Sequence, residues 1–123
     1  MSTNNTSIEL VVNIIKSSSE EIHKTLGYGH LERIYHNALE VELRKNNIDY
    51  ESEKIVPVIY KEHCVGFIRP DLLVNHNVIV EIKRESKKNY NDFHYQVEKY
   101  RRHLKVDKAI LIMFGKNLII EEF

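Results

Sequence analysis

The sequence predicts an α/β domain with the order ααβββαββ, two helices ahead of a set of strands, a third helix after them, and two strands to close the chain. Three observations lead there. Apolar residues recur at helical spacing near both ends, β-branched and aromatic residues replace that spacing in the middle, and Gly, Asn and His collect at the joints.

Residues 1 to 7 are polar and are expected to be flexible. From Ile8 the positions Ile8, Val11, Val12, Ile15, Ile22 and Leu26 fall on one helical stripe that ends near Gly27. Gly27-Tyr28-Gly29 supplies a turn. Leu31, Ile34, Tyr35, Ala38, Leu39 and Leu43 then mark a second amphipathic helix, up to about Asn46.

Past Asn46-Asn47 the texture turns to strand. Ile55 to Tyr60, then Cys64 to Ile68 continuing into Leu72 to Val74, then Val78 to Ile82 read as a three-stranded meander, with turns at Lys61-Glu62-His63 and Asn75-His76-Asn77. Phe93, Val97, Tyr100 and Leu104 sit at i, i+4, i+7 and i+11 and predict a third helix over about 91 to 105. Strands at about 108 to 114 and 118 to 122 flank the turn Gly115-Lys116-Asn117.

With 123 residues, the chain fits one domain, expected over residues 8 to 123. Hydrophobic residues at 42% and charged ones at 29% give the balance of a globular protein with a core. The 18 basic and 18 acidic side chains cancel, so only local patches could attract a polyanion. The single Cys64 excludes an intrachain disulfide and a four-cysteine zinc site. The N-terminus lacks a basic region, and Glu9 and Asn13 break its apolar stretch, so no signal peptide or membrane span is expected and an intracellular protein is the simplest reading.

The chemistry is expected at one hairpin. If the turn is centred on His76 and the pairing is antiparallel, Val74 faces Val78 and Asp71 faces Glu81. Carboxylates whose Cβ atoms stand roughly 4.5–5.5 Å apart repel unless a cation neutralises them. Alternation puts Lys83 on the face of Glu81, and the Ile82 carbonyl lies between the two. Oxygen donors without thiolates suit Mg²⁺ or Mn²⁺, and such a site suits phosphoryl chemistry.

These residues carry a resemblance. Pro70-Asp71, nine residues, then Glu81-Ile82-Lys83 resembles the motif of the PD-(D/E)XK nucleases. Gly29-His30-Leu31-Glu32-Arg33-Ile34-Tyr35 matches the GxxExxY signature of one family in that superfamily, and Gln96-Val97-Glu98-Lys99-Tyr100 matches the QxxxY motif of its RecB-like branch. The likeness runs from about Leu26 to Gly115 and implies a restriction-endonuclease-like core, a mixed central sheet flanked by helices.

It also implies roles. Asp71, Glu81, the Ile82 carbonyl and Glu32 would hold the metal, and Lys83 would orient or help deprotonate the attacking water and stabilise charge on the phosphate. Gln96 and Tyr100 would face the site and steady ligands or substrate, while Gly29 and Tyr35 read as structural. Arg84, Lys87 and Lys88 are candidates for phosphate contact. The implied activity is metal-dependent hydrolysis of DNA phosphodiesters, with a homodimer or protein partner conceivable; the rival reading is a non-catalytic or partner-dependent nucleic-acid-binding or assembly module on the same fold.

Overall fold

The computed structural model describes residues 7–84 and 90–123. Helix α1 (Ile8–Leu26) starts at Ser7, whose Oγ accepts the Leu10 N–H at 3.1 Å and satisfies one of the free first-turn donors. The expected flexible N-terminus otherwise falls on residues outside those described. Gly27 ends α1 at φ 72°, a left-handed conformation that favours glycine. Helix α2 (Glu32–Lys45) follows, with Glu32 in its first turn, where a carboxylate complements the helix dipole.

Among the described residues, strands β1 (Tyr50–Ser52), β2 (Val56–Tyr60), β3 (His63–Ile68), β4 (Leu72–Val74) and β5 (Val78–Arg84) come next. Helix α3 (Tyr90–Leu104), β6 (Lys108–Phe114) and β7 (Leu118–Glu122) complete the order. The main sheet runs β1-β4-β5-β6-β7; β5 and β6 are parallel, joined across α3, and its other neighbours are antiparallel.

The expected meander is corrected in two respects. β2 and β3 pair only with each other, as a separate hairpin, instead of leading into the β4–β5 pair. The short strand β1 takes the place beside β4, with Tyr50 opposite Val74 and Ser52 opposite Leu72. The turn chemistry holds: Lys61 and Glu62 between β2 and β3, and Asn75 and His76 between β4 and β5, all adopt positive φ, which tight hairpin turns require.

The sheet separates two apolar layers. Val78, Val80 and Ile82 of β5 and Ile110, Ile112 and Phe114 of β6 join Val11, Ile15, Tyr35 and Leu39 of α1 and α2. Ile79, Ala109, Leu111 and Met113 pack against Val97, Phe93, Tyr100 and Leu104 of α3 on the other face. Each fully buried Leu or Ile here stabilises the fold by roughly 1.5–3 kcal/mol relative to an exposed one.

The Gly27–Tyr35 segment is tied down by the tyrosine. Tyr35 is fully buried and stacks on Phe114, centroids 4.4 Å apart and planes 5° apart. Its hydroxyl donates to the Gly27 carbonyl at 2.7 Å and accepts the His30 N–H at 3.2 Å. The start of α2 is thereby fixed against the end of β6, a structural use for this tyrosine.

Candidate active site

β4 and β5 pair with Leu72 opposite Val80, Leu73 opposite Ile79 and Val74 opposite Val78. One step further along that register stand Asp71 and Glu81. Glu81 shares the α3 side of β5 with Ile79, and the neighbouring strand places Leu111 beside it, so the carboxyl is almost wholly enclosed, 2% exposed.

The two acids are cross-linked through the backbone. The Asp71 N–H donates to Glu81 Oε1 at 2.9 Å, and the Ile82 N–H donates to Asp71 Oδ2 at 2.8 Å. Each carboxylate is thus oriented by the partner strand and keeps one oxygen outside this pair of bonds. Burial first, and then the Asp71 charge, push the Glu81 carboxyl up to about 8, against the opposing pull of the Asp71 N–H and the Lys83 ammonium. Without a cation, Glu81 therefore holds its proton more tightly than an ordinary glutamate.

Lys83 extends from the same face of β5 and brings Nζ to 4.0 Å from Glu81 Oε2 and 5.1 Å from the centre of the Phe93 ring. That cation–π contact holds the ammonium between α3 and the carboxylate pair. Glu32 arrives from α2: its Oε2 accepts the backbone N–H of Arg84 at 3.2 Å, at the end of β5. Glu32, Asp71 and Ile82 line one cleft of about 200 Å³ with Arg33, His36 and Glu53.

On α3, Gln96 Nε2 donates to the Tyr100 hydroxyl at 3.2 Å. Burial, and after it the charge of Glu81, raise the Tyr100 phenol above its ordinary value; Gln96 and an Arg69 backbone hydrogen bond act the other way. Gln96 and Tyr100 thus pair across one helical turn. Arg84 is exposed at the end of β5, whereas Lys87 and Lys88 lie outside the described residues.

Three residues of the cleft escaped the sequence reading. Arg33 Nη2 donates to Glu53 Oε1 at 2.9 Å and holds the Glu53 carboxyl below the usual range. His36 is buried, 2.7 Å from Glu40 Oε2 and 2.9 Å from Ser52 Oγ through Nε2. These contacts join α2 to β1 and to the residue after it. The apolar stripe of α2 gave no sign that His36 would be inside.

Among the described residues, no three His, Cys, Asp or Glu side chains converge as a ready-made metal cluster. The donor set suits a cation all the same: two cross-linked carboxyls, one of which keeps its proton unless a cation replaces it, and the Ile82 carbonyl next in the chain after Glu81. Hard oxygen donors of this kind favour Mg²⁺ or Mn²⁺ over a thiophilic metal.

The chain is similar in fold to the crystal structure of the protein SSO0001, with a TM-score of 0.56 and 23% identity over 90% of this chain and 61% of that one. No curated protein matches it. No helix among the described residues is long and apolar enough to cross a membrane. The model of the PD-(D/E)XK nuclease superfamily matches residues 9–123, from the first helix to the last residue, and so takes in both carboxylates and Lys83. The chain belongs to the PD-(D/E)XK nuclease superfamily.

Proposed function

We propose that this chain is a metal-dependent nuclease that hydrolyses DNA phosphodiesters, in the GxxExxY family of its superfamily, with residues 8–123 as one catalytic domain. The observation that carries the reading is the reciprocal Asp71–Glu81 clamp, which holds two acids so close that both ionise readily only when a cation replaces the Glu81 proton. Nucleases of this superfamily generally use divalent metal ions.

Asp71, Glu81 and the Ile82 carbonyl would hold Mg²⁺ or Mn²⁺, with Glu32 adding charge from across the cleft. The bound cation supplies a Lewis acid and lowers the pKa of water. Lys83 orients the attacking water and offsets charge that builds on the phosphate in the transition state. The Gln96–Tyr100 pair, one helical turn apart, steadies the substrate on the α3 side. Arg84, exposed beyond β5, offers a phosphate contact at the rim.

A second reading, a nucleic-acid-binding or assembly module without turnover, draws on one observation. The raised Glu81 carboxyl lets a proton take the place of a cation between the two acids. Incubating DNA with the protein in Mg²⁺, Mn²⁺ or EDTA separates the two: cleavage that needs the metal supports the nuclease, while binding without cleavage in either metal supports the module.

A further inference from the structure

Arg33 of α2 and Glu53, the residue after β1, line the same cleft as Glu32, Asp71 and Ile82. Their side chains are 53% and 37% exposed and meet where Arg33 Nη2 donates to Glu53 Oε1 at 2.9 Å. An ion pair so open to water adds little to stability. Yet Glu53 is set in place at some expense: its backbone stands at φ 52°, a left-handed conformation that a glutamate rarely adopts. A hydrogen bond to the catalytic strand secures it. The Glu53 N–H donates to the Asp71 carbonyl at 2.9 Å, one step past the Ser52–Leu72 pair of β1 and β4. The glutamate is thus tied to the backbone of one of the two paired acids while its side chain engages Arg33.

The charges of the cleft explain why that matters. Three carboxylates line it, those of Glu32, Asp71 and Glu53, and among the described residues Arg33 is the only lysine or arginine that does. His36 is buried and spends Nε2 on Glu40 and Ser52. A cation held by Asp71 and Glu32 would offset those two acids, which leaves Glu53 matched to Arg33. Lys83 stands on the α3 side of the acid pair, against Phe93, and Arg33 comes from α2. A nucleic-acid strand carries a negative charge at every nucleotide, so a phosphate beside the scissile one also needs a partner. A guanidinium takes a carboxylate and a phosphate with the same planar fork. Glu53 therefore occupies Arg33 in the way that a phosphate would, through a contact weak enough to exchange.

We propose that Arg33 binds a backbone phosphate next to the scissile one, on the α2 side of the cleft, and that Glu53 is a stand-in anion that occupies Arg33 until the substrate displaces it. This deepens the nuclease reading and rests on it for the position of the scissile phosphate.

The test is fluorescence anisotropy of a short labelled oligodeoxynucleotide, single-stranded and as a duplex, in Ca²⁺, a hard oxygen-seeking cation, with a gel to verify that the oligomer stays whole. Arg33→Ala is expected to weaken binding about tenfold and to lower the slope of log affinity against log salt by about one, the signature of one lost phosphate contact. Glu53→Gln, which no longer holds the guanidinium by charge, is expected to bind about threefold more tightly, the scale of one exposed ion pair released. Arg33→Ala/Glu53→Gln should bind like Arg33→Ala, because the gain acts through Arg33. Both single variants break the same ion pair, so a merely structural role would move their affinities in the same direction along with their melting temperatures; exchange moves the affinities in opposite directions. A gain from Glu53→Gln that persists without Arg33 makes Glu53 a general repellent of polyanions and overturns the proposal. An Arg33→Ala protein with wild-type affinity and salt slope does the same, as does wild type that binds neither oligomer. Cleavage assays in Mn²⁺ and Mg²⁺ keep the two readings apart. DNA cleavage by wild type with no coupling between Arg33 and Glu53 sinks the exchange alone; that coupling with no cleavage in either metal sinks the nuclease reading alone.

Discussion

The backbone N–H of Asp71 donates to the Glu81 carboxylate at 2.9 Å while the next N–H after Glu81, that of Ile82, donates back to the Asp71 carboxylate at 2.8 Å. The two acids are held by each other's strand, so the hairpin register itself fixes their geometry.

That geometry makes stability depend on pH. The folded Glu81 carboxyl sits at about 8 against an ordinary 4.5, so the folded state binds the extra proton; this contribution is fully present below about pH 4.5 and is lost as pH rises through about 8. The lowered carboxyls of Glu53, Glu98 and Glu122 matter below that window instead. Melting temperatures in EDTA should fall from pH 5 to pH 8 more steeply for wild type than for Glu81→Gln, as differential scanning calorimetry would read. Parallel slopes would remove the buried acid as their cause.

Metal binding should show the opposite trend. A cation requires the charged carboxylate, so binding below about pH 8 releases a proton and affinity should rise with pH up to that point. Isothermal titration calorimetry of Mn²⁺ in buffers of different ionisation enthalpy measures that proton directly.

Glu32 separates charge from capping. In Glu32→Gln the amide oxygen can still accept the Arg84 N–H, so the tie between α2 and β5 survives while the negative charge is lost. Activity is expected to drop about 10–100-fold, the usual loss when a supporting carboxylate of a metal site is changed. A Gln variant as active as wild type would leave Glu32 with a structural role only.

Lys83→Met removes the ammonium and keeps a long apolar stem beside Phe93. Turnover should fall by about 10²–10³, the usual loss when one transition-state donor is removed, while Mn²⁺ still binds. Loss of metal binding in this variant would place Lys83 among the determinants of the cation site instead.

Tyr35→Phe tests the fold rather than the chemistry. The ring still stacks on Phe114, but the Gly27 carbonyl and the His30 N–H lose their partner, at a cost of about 1–3 kcal/mol. The expected result is a lower melting temperature with near-normal activity once the protein is folded.

Much of this was legible in the residues. The helical stripes located α1, α2 and α3, and the turn at His76 set Asp71 against Glu81 because a hairpin's register follows from its centre. β1 was missed because Tyr50-Glu51-Ser52 is three residues long, with neither alternation nor a β-branched side chain. The apolar Ile59, Val65 and Phe67 of the β2–β3 hairpin imply a core strand by composition, yet all three are exposed, and composition alone does not separate the two. Arg33–Glu53 and His36–Ser52 join residues 20 and 16 positions apart through tertiary packing, which no local pattern encodes.

The central claim, that the Asp71–Glu81 pair is a metal-dependent nuclease centre, is tested most directly by comparing wild type and Asp71→Asn on supercoiled, linear and single-stranded DNA in Mn²⁺, Mg²⁺ and EDTA. The account predicts cleavage by wild type in at least one metal, none in EDTA, and loss of that cleavage in the folded Asp71→Asn protein. Cleavage that persists in EDTA or in Asp71→Asn would contradict it.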